Sequence, residues 1–224
     1  MKHFLSLLLL LSALGVQSLG AQSFLLRLGG GLSSLSGAGH KPVGSYLLGL
    51  AYEYEFGQHL TFTPGVAVQG KGWAMADEFV PMLDVDDNPV LDDAGEPRMG
   101  VKSRSLTACY VTIPLLWNYY LRTGPSRYVC FTFGPYIAAG IAGKDETKGD
   151  GQAHGAEKLY RSSPSFGSGG LRRLDAGLEA GAAYHFSTGF SVGIAADFGL
   201  ARPYAGSGRN VAGLVALGYR FRGR

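Results

Sequence analysis

The chain has 224 residues, room for one domain with a sizeable core. A net charge of only +3, with no long basic run, argues against a nucleic-acid partner. Charged residues are 17% against 46% hydrophobic, and 35 residues are glycine, a balance too poor in charge for an ordinary soluble exterior.

Residues 1–21 read as a secretory signal peptide. Lys2 and His3 form a short basic start, Phe4 to Val16 is apolar, and Ser18 to Ala21 supplies small residues for cleavage after Gly20 or Ala21. That leaves residues 22–224 as one exported domain. The apolar run is shorter than the roughly 20 residues of a spanning helix. No later run approaches the roughly 18 apolar residues that would mark one.

From Phe24 onward the hydrophobic period is two, the mark of strands. FLLRLGGGL (24–32) sets Arg27 among glycines. In 46–56, Leu48, Leu50, Tyr52, Tyr54 and Phe56 oppose Gly49, Ala51, Glu53 and Glu55. In 59–70, Leu60, Phe62, Pro64, Val66 and Val68 oppose Thr61, Thr63, Gly65, Ala67 and Gln69. Segment 105–121 places Val111, Ile113, Leu115, Trp117 and Tyr119 opposite Thr112, Asn118 and Tyr120. In 128–143, Phe131, Phe133 and Ile137 oppose Cys130, Thr132 and Tyr136. LDAGLEAGAAYHF (174–186) has carboxylates at i, i+4, a helical spacing, yet two glycines between and after them would each cost a helix about 1 kcal/mol. Its alternation of Leu174, Ala176, Leu178 and Ala180 with Asp175, Gly177, Glu179 and Gly181 makes it a strand. Segments 190–200 and 210–221 follow the same rule, with Leu214 off pattern. Pro64 and Pro114 fall inside strands and predict a bulge or a local break at each.

Eight strands result, and their connections alternate. Gly57-Gln58, residues 123–126 and residues 187–189 are short; 33–45, 71–104, 144–169 and 202–209 are long. This is the pattern of an all-β, eight-stranded, antiparallel up-and-down transmembrane barrel with short periplasmic turns and long extracellular loops. The wet face decides between two barrels. Apolar residues pointing inward would make a soluble lipocalin-like carrier, but the opposite face is too rich in glycine and alanine to be a solvated exterior. It suits the narrow interior of an eight-stranded barrel instead. Aromatics at the short-turn end, Tyr54, Phe56, Phe131, Tyr184, Phe186, Phe190, Tyr219 and Phe221, read as an interfacial girdle.

The central YVTIPLLWNYY, the following FGPYIAAG, then LDAGLEAGAAYHF and the terminal LGYRF resemble the PorT-like outer-membrane β-barrel domain family over nearly all of the exported chain. The resemblance implies a closed barrel in the cell outer membrane, with one type of member linked to protein secretion. Thr112 stands where that family usually has an acid and Asn118 where a lysine is common, so a lumenal ion pair between those places is missing here.

Inward candidates are Arg27, Glu53, Glu55, Tyr110, Tyr120, Tyr136, Asp175, Glu179, His185, Asp197 and Arg220. They predict a hydrogen-bonded plug rather than an aqueous path, because eight strands leave room only for side chains. No catalytic site is expected. His40 and His154 fall in glycine-rich loops, His185 lies at the end of its strand, and no G-x-S-x-G elbow occurs. No cofactor is implied. Asp84, Asp86 and Asn88 match the first ligands of a calcium loop, but Pro89 replaces its glycine and Gly95 its closing glutamate, so Asp84–Glu96 is expected to be a solvated hairpin. Cys109 and Cys130 are expected to stay free, about ten residues apart along paired strands and on opposite faces.

The sequence thus points to a barrel acting by protein contact. Its partners would be outer-membrane lipid, an envelope or secretion protein, and the barrel-insertion machinery that reads a terminal strand such as Tyr219-Arg220-Phe221. A narrow pore and a lipid-modifying enzyme are the competing functions.

Overall fold

A computed structural model describes residues 23–222 apart from 38, 85, 87, 150–158, 168 and 169. The signal peptide and His154 lie outside the described residues. Eleven strands follow in order: β1 (Ser23–Leu35), β2 (His40–Lys41), β3 (Val43–Glu55), β4 (Leu60–Met75), β5 (Glu78–Pro81), β6 (Met99–Gly124), β7 (Arg127–Gly149), β8 (Leu159–Pro164), β9 (Leu174–His185), β10 (Phe190–Gly199) and β11 (Asn210–Arg222). Eight of them, β1, β3, β4, β6, β7, β9, β10 and β11, pair antiparallel each with the next, and β1 pairs β11 from Ser23↔Arg222 to Leu35↔Asn210. The ring is closed. Closure satisfies the strand edges that lipid could not hydrogen-bond.

The alternation read from sequence is the inside–outside code. Along β3 the side chains at Leu48, Leu50 and Tyr54 are exposed while Gly49, Ala51 and Glu53 are buried. Along β9, Asp175, Gly177 and Glu179 are buried and Leu174 is 77% exposed. Leu214, off pattern in the sequence, points inward with Leu47 and Ala67. Gly177 explains one of the glycines of this strand: a Cβ there would come 2.6 Å from the Tyr136 hydroxyl, which crosses the lumen over it.

The predicted girdle is present and wider than expected. Tyr184 packs on Phe186 at 4.9 Å, Phe190 on Tyr219 and Tyr219 on Phe221 each at 4.7 Å between ring centres. Phe24, Tyr52, Phe62 and Trp117 join it. Tight turns hold this end together; Gly189 takes φ 93°, which a side chain would resist, and donates its N–H to Phe186 O.

The expected long connections need correction. The long connections 71–104 and 144–169 contain much strand: β4 runs on to Met75, β6 starts at Met99, and β7 continues to Gly149 with β8 beside it. Beyond the bilayer the outward positions turn polar, so the apolar rhythm fades although backbone pairing persists from Ala74↔Ser105 up to Lys102↔Gly149. Sequence periodicity reports the solvent, not the hydrogen bonds. At Pro64 and Pro114 the register runs on unshifted, so each is a local break. The barrel-wall bulge between β6 and β7 lies instead at Cys109/Tyr110.

Both cysteines are free. Cys130 pairs Tyr120, the register shifting by one at Arg122/Gly124. Cys109 is therefore eleven residues further along β6, about 36 Å away. Unfolding the oxidised, purified chain should release two titratable thiols; recovery of a Cys109–Cys130 crosslinked peptide would overturn the strand pairing.

Candidate functional site

The barrel interior is crowded with paired polar side chains. At its centre Lys71, from the extended β4, lies between two carboxylates, 3.4 Å from Asp175 Oδ2 and 3.5 Å from Asp197 Oδ2. Its ammonium donates to Tyr136 Oη at 3.0 Å and stands 4.1 Å from the centre of that ring. Gln69 Nε2 donates to Asp197 at 2.5 Å, and Asn210 Nδ2 to Asp175 at 3.4 Å. Towards the short turns Arg27 pairs with Glu179. Next, Arg220 Nε meets Glu53 Oε2 at 3.0 Å, while Tyr120 and Thr61 donate their hydroxyls to Glu53 Oε1 at 2.6 and 3.0 Å. Arg220 also donates to Tyr120 Oη. Asn118 bridges the remaining wall, donating to Thr63 at 2.6 Å and accepting from Thr132 at 2.7 Å.

At the long-loop end the lumen is closed by apolar packing. Trp73, Leu106, Tyr110, Phe166 and Leu171 form one buried cluster, with the Phe166 ring edge-on to Tyr110 at 5.8 Å. Above it opens a cleft of about 330 Å³, walled by Tyr204, Ser163 and the Arg104–Asp145 ion pair. Inside, a cavity of about 60 Å³ remains among Arg27, Asn118, Tyr120, Thr132, Glu179 and His185.

Sequence reading placed most of these groups correctly. Arg27, Glu53, Tyr110, Tyr120, Tyr136, Asp175, Glu179, His185, Asp197 and Arg220 all face the lumen, whereas Glu55 is exposed at the short-turn rim. Lys71 is the important omission. The sequence places it in the connection 71–104, yet its side chain is 1% exposed and it gives the inner acids Glu53, Asp175, Glu179 and Asp197 a third cation beside Arg27 and Arg220. Its signal was there: Gln69, Lys71 and Trp73 continue the inward parity of Thr61 to Ala67. Thr112 and Asn118, the two departures from the resembled family, both point inward and are buried; Asn118 is satisfied by threonines, while Thr112 Oγ1 has no partner.

No described histidine hydrogen-bonds a serine or a carboxylate. His185 lies edge-on to Tyr120 at 5.3 Å and His59 Nδ1 meets the Tyr120 carbonyl at 2.9 Å. The acidic loop is two narrow turns rather than one hairpin, bridged at Leu83↔Pro89 and Leu91↔Pro97. Asp84 Oδ1 accepts the N–H groups of Asp86 and Asn88, and Asp92 Oδ1 those of Ala94 and Glu96. These carboxylates cap backbone donors in the manner of Asx turns. The amides of Asn88 and Asp86 hold the Asp84 carboxyl below the usual aspartate value.

Comparison with known proteins places the fold. The model of a family described as outer membrane protein beta-barrel domain matches residues 23–202. No curated protein matches the chain. Among solved structures, the attachment invasion locus protein Ail of Yersinia pestis, in complex with the heparin analogue sucrose octasulfate, is 12% identical, covers 90% of this chain and 100% of its own, and gives a TM-score of 0.42. The outer membrane enzyme PagL is 16% identical over 88% of this chain and 98% of its own, with a TM-score of 0.32. An outer membrane channel from Pseudomonas putida F1 is 10% identical over 92% and 97%, with a TM-score of 0.27. Likenesses this loose carry no functional weight.

Two measurements test the site. Lys71→Met leaves Asp175 and Asp197 facing each other without a cation and should cost about 3–5 kcal/mol in urea unfolding from lipid vesicles; a loss below about 1 kcal/mol would mean the trio is solvated. Asp84 favours its ionised form in the folded turn, so that turn is stabilised above the ordinary aspartate range and loosens as pH falls through the lowered value. Amide shifts of Asp86 and Asn88 should therefore move only at acid pH, and in Asp84→Ala should be those of an open loop throughout.

Proposed function

The chain belongs to the outer membrane protein beta-barrel domain family, and from that premise we propose that it is a non-conducting, non-enzymatic barrel working through protein contacts made at its long-loop end. The observation that supports this reading is the division of the molecule into a lumen crowded with paired side chains and a raised sheet. From Val111 the strand β6 continues a further twelve residues to Met99, about 40 Å of strand beyond the apolar belt. β5, β7 and β8 accompany it there. Phe79, 74% exposed, and Tyr160, Leu91 and Met99 stand out on this projection. A barrel that merely anchored itself would need no such extension.

The long-loop end would then face the outside and the short turns the periplasm. The resemblance to the PorT-like family favours an accessory role in secretion or envelope assembly, with an envelope or secretion protein as partner. Export by the signal peptide and insertion by the general barrel machinery complete the route.

In planar bilayers the refolded barrel should give no discrete current steps. Stable steps changed by Glu179→Gln would make it a narrow pore instead. Lipid A and phospholipid masses should be the same in cells with and without the protein; a mass change abolished by one histidine substitution would make it an enzyme.

A further inference from the structure

The cleft above the apolar cap is built from β4, β6, β7 and β8 and from the connections that precede β9 and β11. Register sets one wall: Leu106 pairs Asp145 and Asp145 pairs Ser163, so these three side chains share one face of the raised sheet. Backbone bonds fix the rest. The N–H of Leu171 donates to Ser165 O at 2.8 Å and that of Ser165 to Gly143 O at 3.1 Å. Arg172 N–H donates to Pro203 O at 2.7 Å and ties the two connections together. The Tyr204 ring lies 6.2 Å from that of Trp73, packed on the buried cluster. The cleft is thus preformed, which spares a ligand the cost of ordering its walls.

Its lining has an apolar and a polar half. Leu106 and Leu171 belong to the buried cluster, and Met75 and Pro164 extend that apolar surface. Arg104, Asp145, Ser163 and Tyr204 supply the polar atoms. Arg104 holds Asp145 with two arms, Nε donating to Oδ1 at 2.9 Å and Nη2 to Oδ2. Each charge is cancelled by the other, yet 44% of the Arg104 side chain stays exposed. Among the described residues, Arg104 Nη1 and the hydroxyls of Ser163 and Tyr204 make no hydrogen bond. An anion entering here would meet the Asp145 carboxylate, and a cation the Arg104 guanidinium. The lining suits a neutral ring with an apolar face and adjacent hydroxyls, each able to donate and to accept.

We propose that this cleft binds a neutral hexopyranose, free or at the end of a glycan, its C–H face against Met75, Leu106 and Leu171 and two adjacent hydroxyls on the ion pair. One hydroxyl donates to Asp145 and its neighbour accepts from Arg104 Nη1, so the sugar spans the pair without unpairing it. Hydrogen bonds to ionised partners are stronger than those between neutral groups. The Tyr204 ring adds rigid contact area at small entropic cost, with its hydroxyl left to meet a further sugar oxygen. A volume of about 330 Å³ lies at the small end of ligand pockets and suits a sugar of one or two rings. This inference stands apart from the protein-contact reading, which concerns the side chains exposed on the projection.

Methionine methyls report on the site, since Met75 lines the cleft and Met82 and Met99 do not. The barrel, isotope-labelled at these methyls and refolded in dodecylphosphocholine so that no sugar headgroup competes, is titrated by NMR. The probes are methyl α-glucopyranoside, methyl α-mannopyranoside and methyl β-galactopyranoside. At least one should shift Met75 saturably, with a Kd of about 1 mM, and leave Met82 and Met99 in place. Glucuronate, glucosamine and cyclohexanol should each bind about tenfold more weakly or worse. D145N, which keeps the shape of the carboxylate and ends the ion pair, should weaken binding about tenfold, as should R104Q. The matching disaccharide (maltose, mannobiose or lactose) separates the sources: tighter binding than the methyl glycoside supports a glycan end, and equal binding a free sugar. No Met75 shift with any of the three glycosides, equal binding of a charged or apolar probe, or unchanged binding by D145N would each overturn the proposal. The comparison of probes on the unaltered protein decides it even where a variant does not refold.

Discussion

Inside a bilayer no water is available to a backbone N–H or carbonyl, and that single deficit shapes this protein. A sheet can enter lipid only when it has no edge, so β1 must find β11 over its whole length, and it does. Closure then splits every strand into two faces with opposite solvents. The outer face takes leucine, isoleucine and phenylalanine; the inner face takes what fits inside eight strands and can satisfy itself.

The second consequence is electrostatic. Charges inside the ring are cut off from bulk water and must be paired where they stand. Lys71 between Asp175 and Asp197 and Arg27 on Glu179 join strands on different sides of the lumen, while Arg220 on Glu53 spans β1, the strand between β11 and β3. These pairs act as cross-struts. Tyrosine, threonine and asparagine groups between them absorb most of the remaining hydrogen-bonding capacity, while Thr112 Oγ1 and Asp175 Oδ1 remain without partners. This dense pairing is a product of confinement, since eight strands leave room inside for little but side chains.

Legibility in the sequence follows the solvent. Where strands touch lipid, the period of two is strict enough to assign the face of Leu174 or Asp175 from the letters alone. Where the same strands leave the membrane, outward positions become polar, as at Thr107, Ser105 and Ser103 on β6, and the rhythm disappears although the ladder continues. The same loss hid Lys71: a lysine two places past the last clear apolar pair reads as the start of a loop. The bulge at Cys109/Tyr110 left no mark, because one extra residue in β7 is invisible without its partner strand.

Taken by itself, the sequence determined the class of fold, the number of bilayer-crossing strands, the end at which the aromatic girdle sits and the face each lipid-level residue occupies. These are local consequences of alternation and turn residues, and alternation is a property of neighbours in the chain. Only the tertiary structure decided which acid meets which cation and how far the sheet rises above the belt. Those depend on register around a closed ring, and register brings together residues whose separation along the chain carries no record of their distance in space.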